Sequence, residues 1–292
     1  MAWTTAQAFN EFYDAIKEDD AIKSLVTQRR DSVVSSIKTA FPSSATMQYK
    51  SNNLIGSLGR HTASRPFDDI DIMVHLHVDD DLWANTYQRD SSSFLYRVRE
   101  SVNAASTVRK VGARGQAVRL FYTDGPVVDV AAVVKYDTGG YGIPDGTGGW
   151  ITTNPLEHAS YMNRRNEELG NNLKRLVVVA KQWNKAHSSH LTSFHLEMLV
   201  ARTFSSLTAN RRTALRMFFD FNQYNLSVVD PAGYGGDLSS YLTINARASV
   251  NTALGAARDR ADLAIAAEDR GDEKESIRQW GIILGSRFPS YG

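Results

Sequence analysis

The chain has 292 residues, and its 33 Lys and Arg against 32 Asp and Glu give a formal net charge of +1. Hydrophobic residues make up 42% and charged residues 22%, as in an ordinary soluble protein. Near-neutrality argues against a broad surface for duplex nucleic acid, which needs an excess of Lys and Arg. The absence of cysteine excludes disulfides, thiolate metal sites and cysteine nucleophiles.

The sequence carries no recognisable targeting or membrane signal. Residues 1–14 are polar and lack the order of a signal peptide. The longest apolar runs, such as 176–180, are far shorter than the ~18–20 residues that span a bilayer. We therefore expect a cytoplasmic protein without a membrane partner.

In the N-terminal half, the spacing of apolar residues changes from that of a helix to that of a strand. Apolar residues recur at helical spacing through residue 41, which predicts a long helix that Pro42 ends. Alternation from 70 to 76 predicts a strand. Further elements are expected as a helix at 93–107, strands at 117–122 and 127–136, and a Gly-rich loop at 137–155.

The C-terminal half shows only helical spacing. The predicted helices cover 173–187, 193–207, 211–224 and 248–267. Strands followed by helices predict an α+β fold with an added helical lobe. We place the boundary between a domain at 1–160 and a helical lobe at 161–292.

Three aspartates carry the chemistry that the sequence suggests. Asp69 and Asp71 lie two residues apart on a predicted strand, so their side chains share one face, whereas Asp68 points to the other and is interpreted as supporting. Asp129 lies in an apolar strand, where a carboxylate needs a partner or a metal ion. Oxygen ligands of this kind suit Mg²⁺, and three of them can hold two ions for phosphoryl transfer. The alternatives are a solvated acidic pair and a buried salt bridge.

Gly56 and Ser57 precede these acids, and the order Gly-Ser, Asp-x-Asp, third Asp resembles the polymerase β-like nucleotidyltransferases. Within them the chain is most similar to the bacterial CD-NTases, relatives of animal cyclic GMP-AMP synthase and oligoadenylate synthase. The stretches that carry the resemblance lie between about residues 50 and 205: GSLGRHTASRPFDDIDI, VVDVAAVV, GIPDGTGGWITTNPLEHASYMN and LKRLVVVAKQWNKAHSSHLTSFHLEML.

The resemblance implies a polymerase β-like core with a mixed sheet in residues 1–160, an α-helical C-terminal lobe, and an active site in the cleft between them. Gly56 and Ser57 would bind the donor triphosphate. The three aspartates would be both catalytic and metal-binding, and would hold two Mg²⁺, with Mn²⁺ as a substitute.

Three residues of the helical lobe would complete the site. Lys181 would meet the β- and γ-phosphates, Ser193 would add a phosphate hydrogen bond, and Phe194 would stack on the donor base. Each has a structural alternative: Lys181 as an exposed lysine, Ser193 as a helix N-cap, and Phe194 as a core residue.

The function implied is Mg²⁺-dependent synthesis of a cyclic di- or trinucleotide second messenger from nucleoside triphosphates, ATP or GTP or both, in anti-phage signalling. Purines are favoured because the pyrimidine-using subset has Asn at the place that Thr153 occupies. The alternatives are a linear, oligoadenylate-type product, transfer to a tRNA or small molecule, and an inactive nucleotide-binding scaffold. The lack of a zinc module argues against DNA sensing.

Two further features bear on charge and partners. Basic residues cluster in the middle of the chain, either along the nucleotide site or on a solvated face: Arg97, Arg99, Arg109, Lys110, Arg114 and Arg119. A flexible end finishing in Gly292 resembles CD-NTase tails that conjugating partners modify, so a regulatory or tail-conjugating partner is expected. The oligomeric state is not predicted.

Overall fold

A computed structural model describes residues 2–67, 69–102 and 108–292. Its strands are β1 (Met47–Leu54), β2 (Asp69–Val78), β3 (Val108–Arg114), β4 (Ala117–Tyr122), β5 (Val127–Lys135), β6 (Tyr141–Pro144) and β7 (Trp150–Thr153). Its helices are α1 (Thr5–Ile16), α2 (Asp20–Ala40), α3 (Gly56–Gly59), α4 (Asp80–Leu82), α5 (Ser91–Val102), α6 (Pro155–Glu168), α7 (Leu173–Ala186), α8 (Ser193–Thr203), α9 (Arg211–Asn222), α10 (Ile244–Asp269) and α11 (Glu273–Leu284), with a π-helical turn at Trp83–Tyr87.

The chain divides into two compact units. One comprises Met1–Lys17, His61–Pro66 and Ser160–Gly292, and the other Glu18–Arg60 and Phe67–Ala159. The first is helical and the second contains the sheet, so the expected α+β class with C-terminal helices is confirmed. None of the helices in the described ranges has both the length and the apolar character needed to cross a membrane.

The N-terminal region forms two helices, so the prediction of one long helix is wrong. Lys17 adopts an extended conformation at the end of α1. Asp19 then begins α2 as its N-cap, and its side chain accepts a hydrogen bond from the Ile22 N–H at 2.9 Å. A capping carboxylate satisfies a backbone donor that a continuous helix would have paired internally.

The sheet contains the predicted strands together with others that the sequence did not reveal. Its order is β1-β2-β5-β4-β3. β2 and β5 run parallel, whereas the β1–β2, β4–β5 and β3–β4 pairs are antiparallel, so the sheet is mixed. The prediction of a continuous loop at 137–155 is wrong, because β6 and β7 pair there as an antiparallel hairpin.

Period-2 alternation places the two faces of β2 in different surroundings. Ile70, Ile72, Val74 and Leu76 have no solvent exposure. Asp69 and Asp71 occupy the alternate positions and are only partly buried. The apolar face therefore fixes the register of the strand, and the acidic side chains fall together on the other face.

The helical unit includes a short segment, His61–Pro66, that lies between α3 and β2 in the chain. Side chains of α7 hold this segment through its carbonyl oxygens. Lys181 Nζ donates to Thr62 O at 3.0 Å and Lys185 Nζ to Ser64 O at 2.9 Å, while Gln182 Nε2 donates to Arg65 O at 2.6 Å. Buried carbonyl groups of an irregular segment are thereby satisfied, as folding requires.

The C-terminal residues are held rather than free, which corrects the expectation of a flexible tail. The Ala2 N–H donates to Ser290 O at 3.2 Å, and Gly292 N donates to Ala2 O at 3.3 Å. The rings of Trp3 and Tyr291 pack edge to face at 5.4 Å between centroids. The last residues are therefore part of the helical unit.

The remaining differences concern element ends and elements that were missed. The predicted helix at 93–107 corresponds to α5, which begins at Ser91, and residues 103–107 lie outside the described residues, as does Asp68. The four C-terminal helix predictions correspond to α7, α8, α9 and α10, with ends shifted by up to four residues. Helices α6 and α11 were not predicted from the sequence.

Candidate active site

The three predicted aspartates meet on neighbouring strands of the sheet unit. Asp71 of β2 is paired in register with Asp129 of the parallel strand β5, and Asp69 lies two residues earlier on the same face of β2. One carboxylate oxygen from each residue can be chosen so that all three lie within 4.8 Å of one another. The predicted cluster is therefore assembled in the structure.

Three carboxylates this close make the site electrostatically unfavourable without a cation. Burial, followed by the negative charges of Asp69 and Asp129, raises the pKa of Asp71 to about 6. The positive charges of Arg60 and Arg119 act in the opposite direction. A set of hard oxygen donors with excess negative charge fits a divalent ion such as Mg²⁺, which would stabilise the ionised form of each carboxylate.

The Gly-Ser turn lies directly against one of these carboxylates. Gly56 begins α3 with φ +61°, a left-handed conformation, and the Ile55 N–H donates to Asp71 O at 3.0 Å. A Cβ atom on Gly56 would stand 1.9 Å from Asp71 Oδ2. Glycine is therefore required here for its backbone conformation and for the close approach. Ser57 follows within α3.

Arg119 is a member of the site that the sequence did not single out. It stands opposite Asp129 in the β4–β5 register. Its Nε donates to Asp129 Oδ1 at 2.7 Å, and one terminal nitrogen contacts Oδ2. This bidentate pair raises the pKa of the guanidinium still further. Among the six clustered basic residues, only knowledge of strand register could have identified this one.

Lys181 lies in the helical unit, where it is 5% exposed. The alternative of an exposed lysine is therefore wrong. Its Nζ is 2.6 Å from Glu197 Oε1, and Glu197 also accepts a hydrogen bond from Thr62 Oγ1 at 2.8 Å. Glu197 has no solvent exposure, so the pair is an internal ion pair. Sequence reasoning noted this glutamate only as part of a motif.

Ser193 and Phe194 lie one turn before Glu197 on the same helix. The N-cap of α8 is Thr192 and makes no side-chain capping bond, so the alternative that Ser193 is the N-cap is wrong. The Ser193 hydroxyl lies 3.4 Å from Glu197 Oε1. Phe194 is partly buried and packs against the core of the helical unit. The structure therefore brings Ser193 to the Glu197 carboxylate that also holds Lys181, and it places Phe194 against the core.

Solved structures share the fold over nearly the whole chain. Escherichia coli MS115-1 CdnC, solved in complex with HORMA-deltaN, is 16% identical, with a TM-score of 0.79 over 97% of this chain and 98% of that one. The Vibrio cholerae cyclic AMP-GMP synthase DncV is 14% identical, with a TM-score of 0.79 over 99% and 98%. Bradyrhizobium diazoefficiens CdnG, solved with GTP, is 12% identical, with a TM-score of 0.73 over 94% and 97%.

Sequence comparison adds the family. A probable cyclic nucleotide synthase of Bacillus cereus is 28% identical over 270 residues, and the match covers 81% of each protein. The family model for the Second Messenger Oligonucleotide or Dinucleotide Synthetase domain matches residues 3–166, more than half of the chain. With its aspartate cluster in place beside the Gly-Ser turn, the chain belongs to this synthetase family and is a nucleotidyltransferase of the CD-NTase group.

Proposed function

We propose that this protein joins ATP and GTP, or two or three copies of one of them, into a cyclic di- or trinucleotide in a Mg²⁺-dependent reaction. The observation that carries the proposal is the cluster of Asp69, Asp71 and Asp129, whose oxygens can lie within 4.8 Å of one another. The family makes second messengers, which disfavours transfer to tRNA, and the Bacillus cereus relative is a probable cyclic nucleotide synthase, which favours a cyclic over a linear product.

In the proposed reaction, a ribose hydroxyl of one nucleotide attacks the α-phosphorus of another. An O–P bond forms, the bond to pyrophosphate breaks, and the hydroxyl proton leaves to a carboxylate or to water. The same step within the linear intermediate closes the ring and releases another pyrophosphate; it is the second transfer for a dinucleotide and the third for a trinucleotide. Bound Mg²⁺ would neutralise phosphate charge and lower the pKa of the attacking hydroxyl.

The protein's own groups would orient and hold the reactants. Asp69 and Asp71 would hold one ion and share a second, which Asp129 completes. Gly56 leaves room for the Asp71 carboxylate. Backbone N–H groups of Gly56 and Ser57, together with the Ser57 hydroxyl, would donate to the triphosphate. Catalysis would come from positioning and electrostatics rather than from a protein nucleophile.

The helical unit would supply contacts to the donor nucleotide. We propose that Lys181 and Ser193 bind its phosphates and that Phe194 stacks on its base. The internal pair with Glu197 supports a positioned lysine, because it fixes the ammonium beside Ser193 on the neighbouring helix. Phe194 is only partly buried, which is compatible with stacking.

Purine substrates are supported by the residues before α6. Thr153 occupies the place that Asn takes in the pyrimidine-using subset. The neighbouring Asn154 is engaged with the backbone, because its side-chain oxygen accepts from the Glu157 N–H at 3.3 Å. The structures of CdnC and CdnG were solved with ATP and GTP, respectively.

A regulatory protein partner is a further part of the proposal. It is supported by the fold shared with CdnC, which forms a complex with a HORMA protein. Coexpression with a HORMA-type protein, followed by size-exclusion chromatography, tests the partner. Elution as two separate peaks would contradict the proposal.

The proposed reaction is tested by incubating the purified protein with Mg²⁺ and labelled ATP, GTP, CTP and UTP, singly and in pairs. We expect a phosphatase-resistant product from purines, and digestion with a 3′–5′-specific nuclease assigns its linkage. Products that are all phosphatase-sensitive would contradict cyclisation.

The metal assignment has its own variant and control. Asp69→Asn combined with Asp71→Asn should abolish product formation, because both ligands lose their charge. Asp80→Asn with Asp81→Asn removes two exposed acids of the same unit and should leave the rate unchanged. Product formation by the first variant at the rate of the control would show that the assignment is wrong.

A further inference from the structure

The metal-binding face of the sheet contains a row of charged residues that crosses three strands. Arg119 of β4 is paired in register with Asp129 of β5, which is paired in register with Asp71 of β2. Residues directly opposite each other on neighbouring strands present their side chains on the same face. One end of the carboxylate cluster therefore carries a permanent positive charge supplied by the protein itself.

The guanidinium engages both oxygens of Asp129. Nε donates to Oδ1 at 2.7 Å, a terminal nitrogen contacts Oδ2, and the two side chains are 27% and 13% exposed. A two-pronged bond of this kind fixes the carboxylate in orientation as well as in charge. Asp129 is thus positioned before any metal ion arrives.

The Arg119–Asp129 pair disfavours the binding of a metal ion at the Asp129 end of the carboxylate cluster. An ion bound by Asp129 would share its oxygens with the guanidinium and lie close to a like charge. Asp69 and Asp71 lie on the other side of Asp129 from Arg119 in the strand order. The repulsion therefore acts most strongly on the second ion, the one that Asp129 completes in the proposed reaction.

We propose that Arg119 is a positioning residue that holds Asp129 in place and weakens the second metal site until substrate phosphate draws the guanidinium away. Guanidinium groups bind phosphate in the same bidentate manner as carboxylate, so a triphosphate offers a competing partner. The second ion would then bind together with the nucleotide rather than before it. This inference rests on the metal role proposed above.

The test measures Mn²⁺ binding without catalysis, by the loss of the free Mn²⁺ signal in electron paramagnetic resonance. In nucleotide-free protein, Arg119→Gln should bind the second ion at least about tenfold more tightly than the original protein, because a unit charge close to a divalent ion is removed. Arg119→Lys should bind the second ion with an affinity between those of the original protein and Arg119→Gln, since lysine keeps the positive charge but cannot contact both Asp129 oxygens as the guanidinium does. Lys110→Gln, which removes a charge from the neighbouring strand β3, should not change binding.

A nonhydrolysable triphosphate analogue tests the release of the guanidinium. With the analogue bound, the second-site affinities of the original protein and Arg119→Gln should converge to within about twofold. Equal or weaker Mn²⁺ binding by Arg119→Gln in the absence of nucleotide would overturn the inference, and so would a tenfold difference that persists with the analogue.

The failure of this inference is distinguishable from the failure of the metal assignment. If Asp71→Asn binds Mn²⁺ as the original protein does, the metal site itself is wrong. If Asp71→Asn loses Mn²⁺ while Arg119→Gln binds it unchanged, the metal site stands and only the role of Arg119 is refuted. Circular dichroism confirms that each variant is folded.

Discussion

Replacing Gly56 with alanine tests the link between the Gly-Ser turn and the metal carboxylates. The added Cβ would stand 1.9 Å from Asp71 Oδ2 and 2.9 Å from Cγ. Real Cβ contacts are essentially never shorter than 3.0 Å, so the carboxylate and the turn must separate by about 1.1 Å. The substitution therefore acts on a proposed metal ligand without changing any polar group.

The size of the effect follows from two separate costs. The left-handed conformation at φ +61° costs a non-glycine residue roughly 1–2 kcal/mol, which should appear as a lower free energy of unfolding. A displacement of about 1 Å in a catalytic arrangement lowers rates by about 10²-fold. We expect activity to fall by about that factor or more, whereas stability falls by only about 1–3 kcal/mol.

Gly115 provides a matched control in the same unit. Its φ is +59°, nearly that of Gly56, and a Cβ there would meet nothing within 4 Å. Gly115→Ala should therefore show the conformational cost in urea unfolding but keep its rate of pyrophosphate release. If the two alanine variants have equal rates, the close approach of Gly56 to Asp71 does not matter for catalysis and the reasoning is refuted.

Two other predictions concern stability. Because the pKa of Asp71 lies at about 6 in the fold and at 3.8 without the fold, the folded chain binds more protons, and stability in EDTA falls as pH rises from about 4 to 6. Asp71→Asn should reduce that fall in the free energy of unfolding by up to about 3 kcal/mol, measured by urea unfolding at each pH. An unchanged dependence of the free energy of unfolding on pH would contradict the prediction. Glu197→Gln leaves the Lys181 ammonium buried without its counter-charge and should cost about 3–5 kcal/mol. Adding Lys181→Met to that variant should restore part of the loss in the same measurement, and full additivity would refute the internal pair.

Much of the sheet unit could be predicted because its signals are local. The alternation through Ile70, Ile72 and Val74 reports burial on one face, and it identified β2 and the shared face of Asp69 and Asp71. β1 and β3 were missed because their burial is incomplete: β1 has exposed and half-exposed residues along most of its length. A strand of that kind has no clear apolar face, and pairing with its neighbours decides its structure.

The helical unit shows a similar division. Its long helices follow from apolar spacing. Its first helix, α1, was merged with α2 of the sheet unit because the stop at Lys17 depends on the Asp19 cap rather than on a proline or glycine. The burial of Lys181 could not be predicted, since a lysine is ordinarily exposed. It depends on Glu197, which is supplied by another helix of the unit.

The sequence by itself determined the chemistry of this protein: two aspartates on one strand face, a third in an apolar strand, and a glycine-serine turn before them. Each of those signals can be read from its own few residues, because backbone periodicity fixes which neighbouring side chains share a face. Tertiary structure alone decided that Asp71 lies beside Asp129 and that Arg119 binds the Asp129 carboxylate. Asp71 and Asp129 are 58 residues apart in the chain. The register of their strands depends on packing of the whole sheet, and no local sequence pattern specifies that packing.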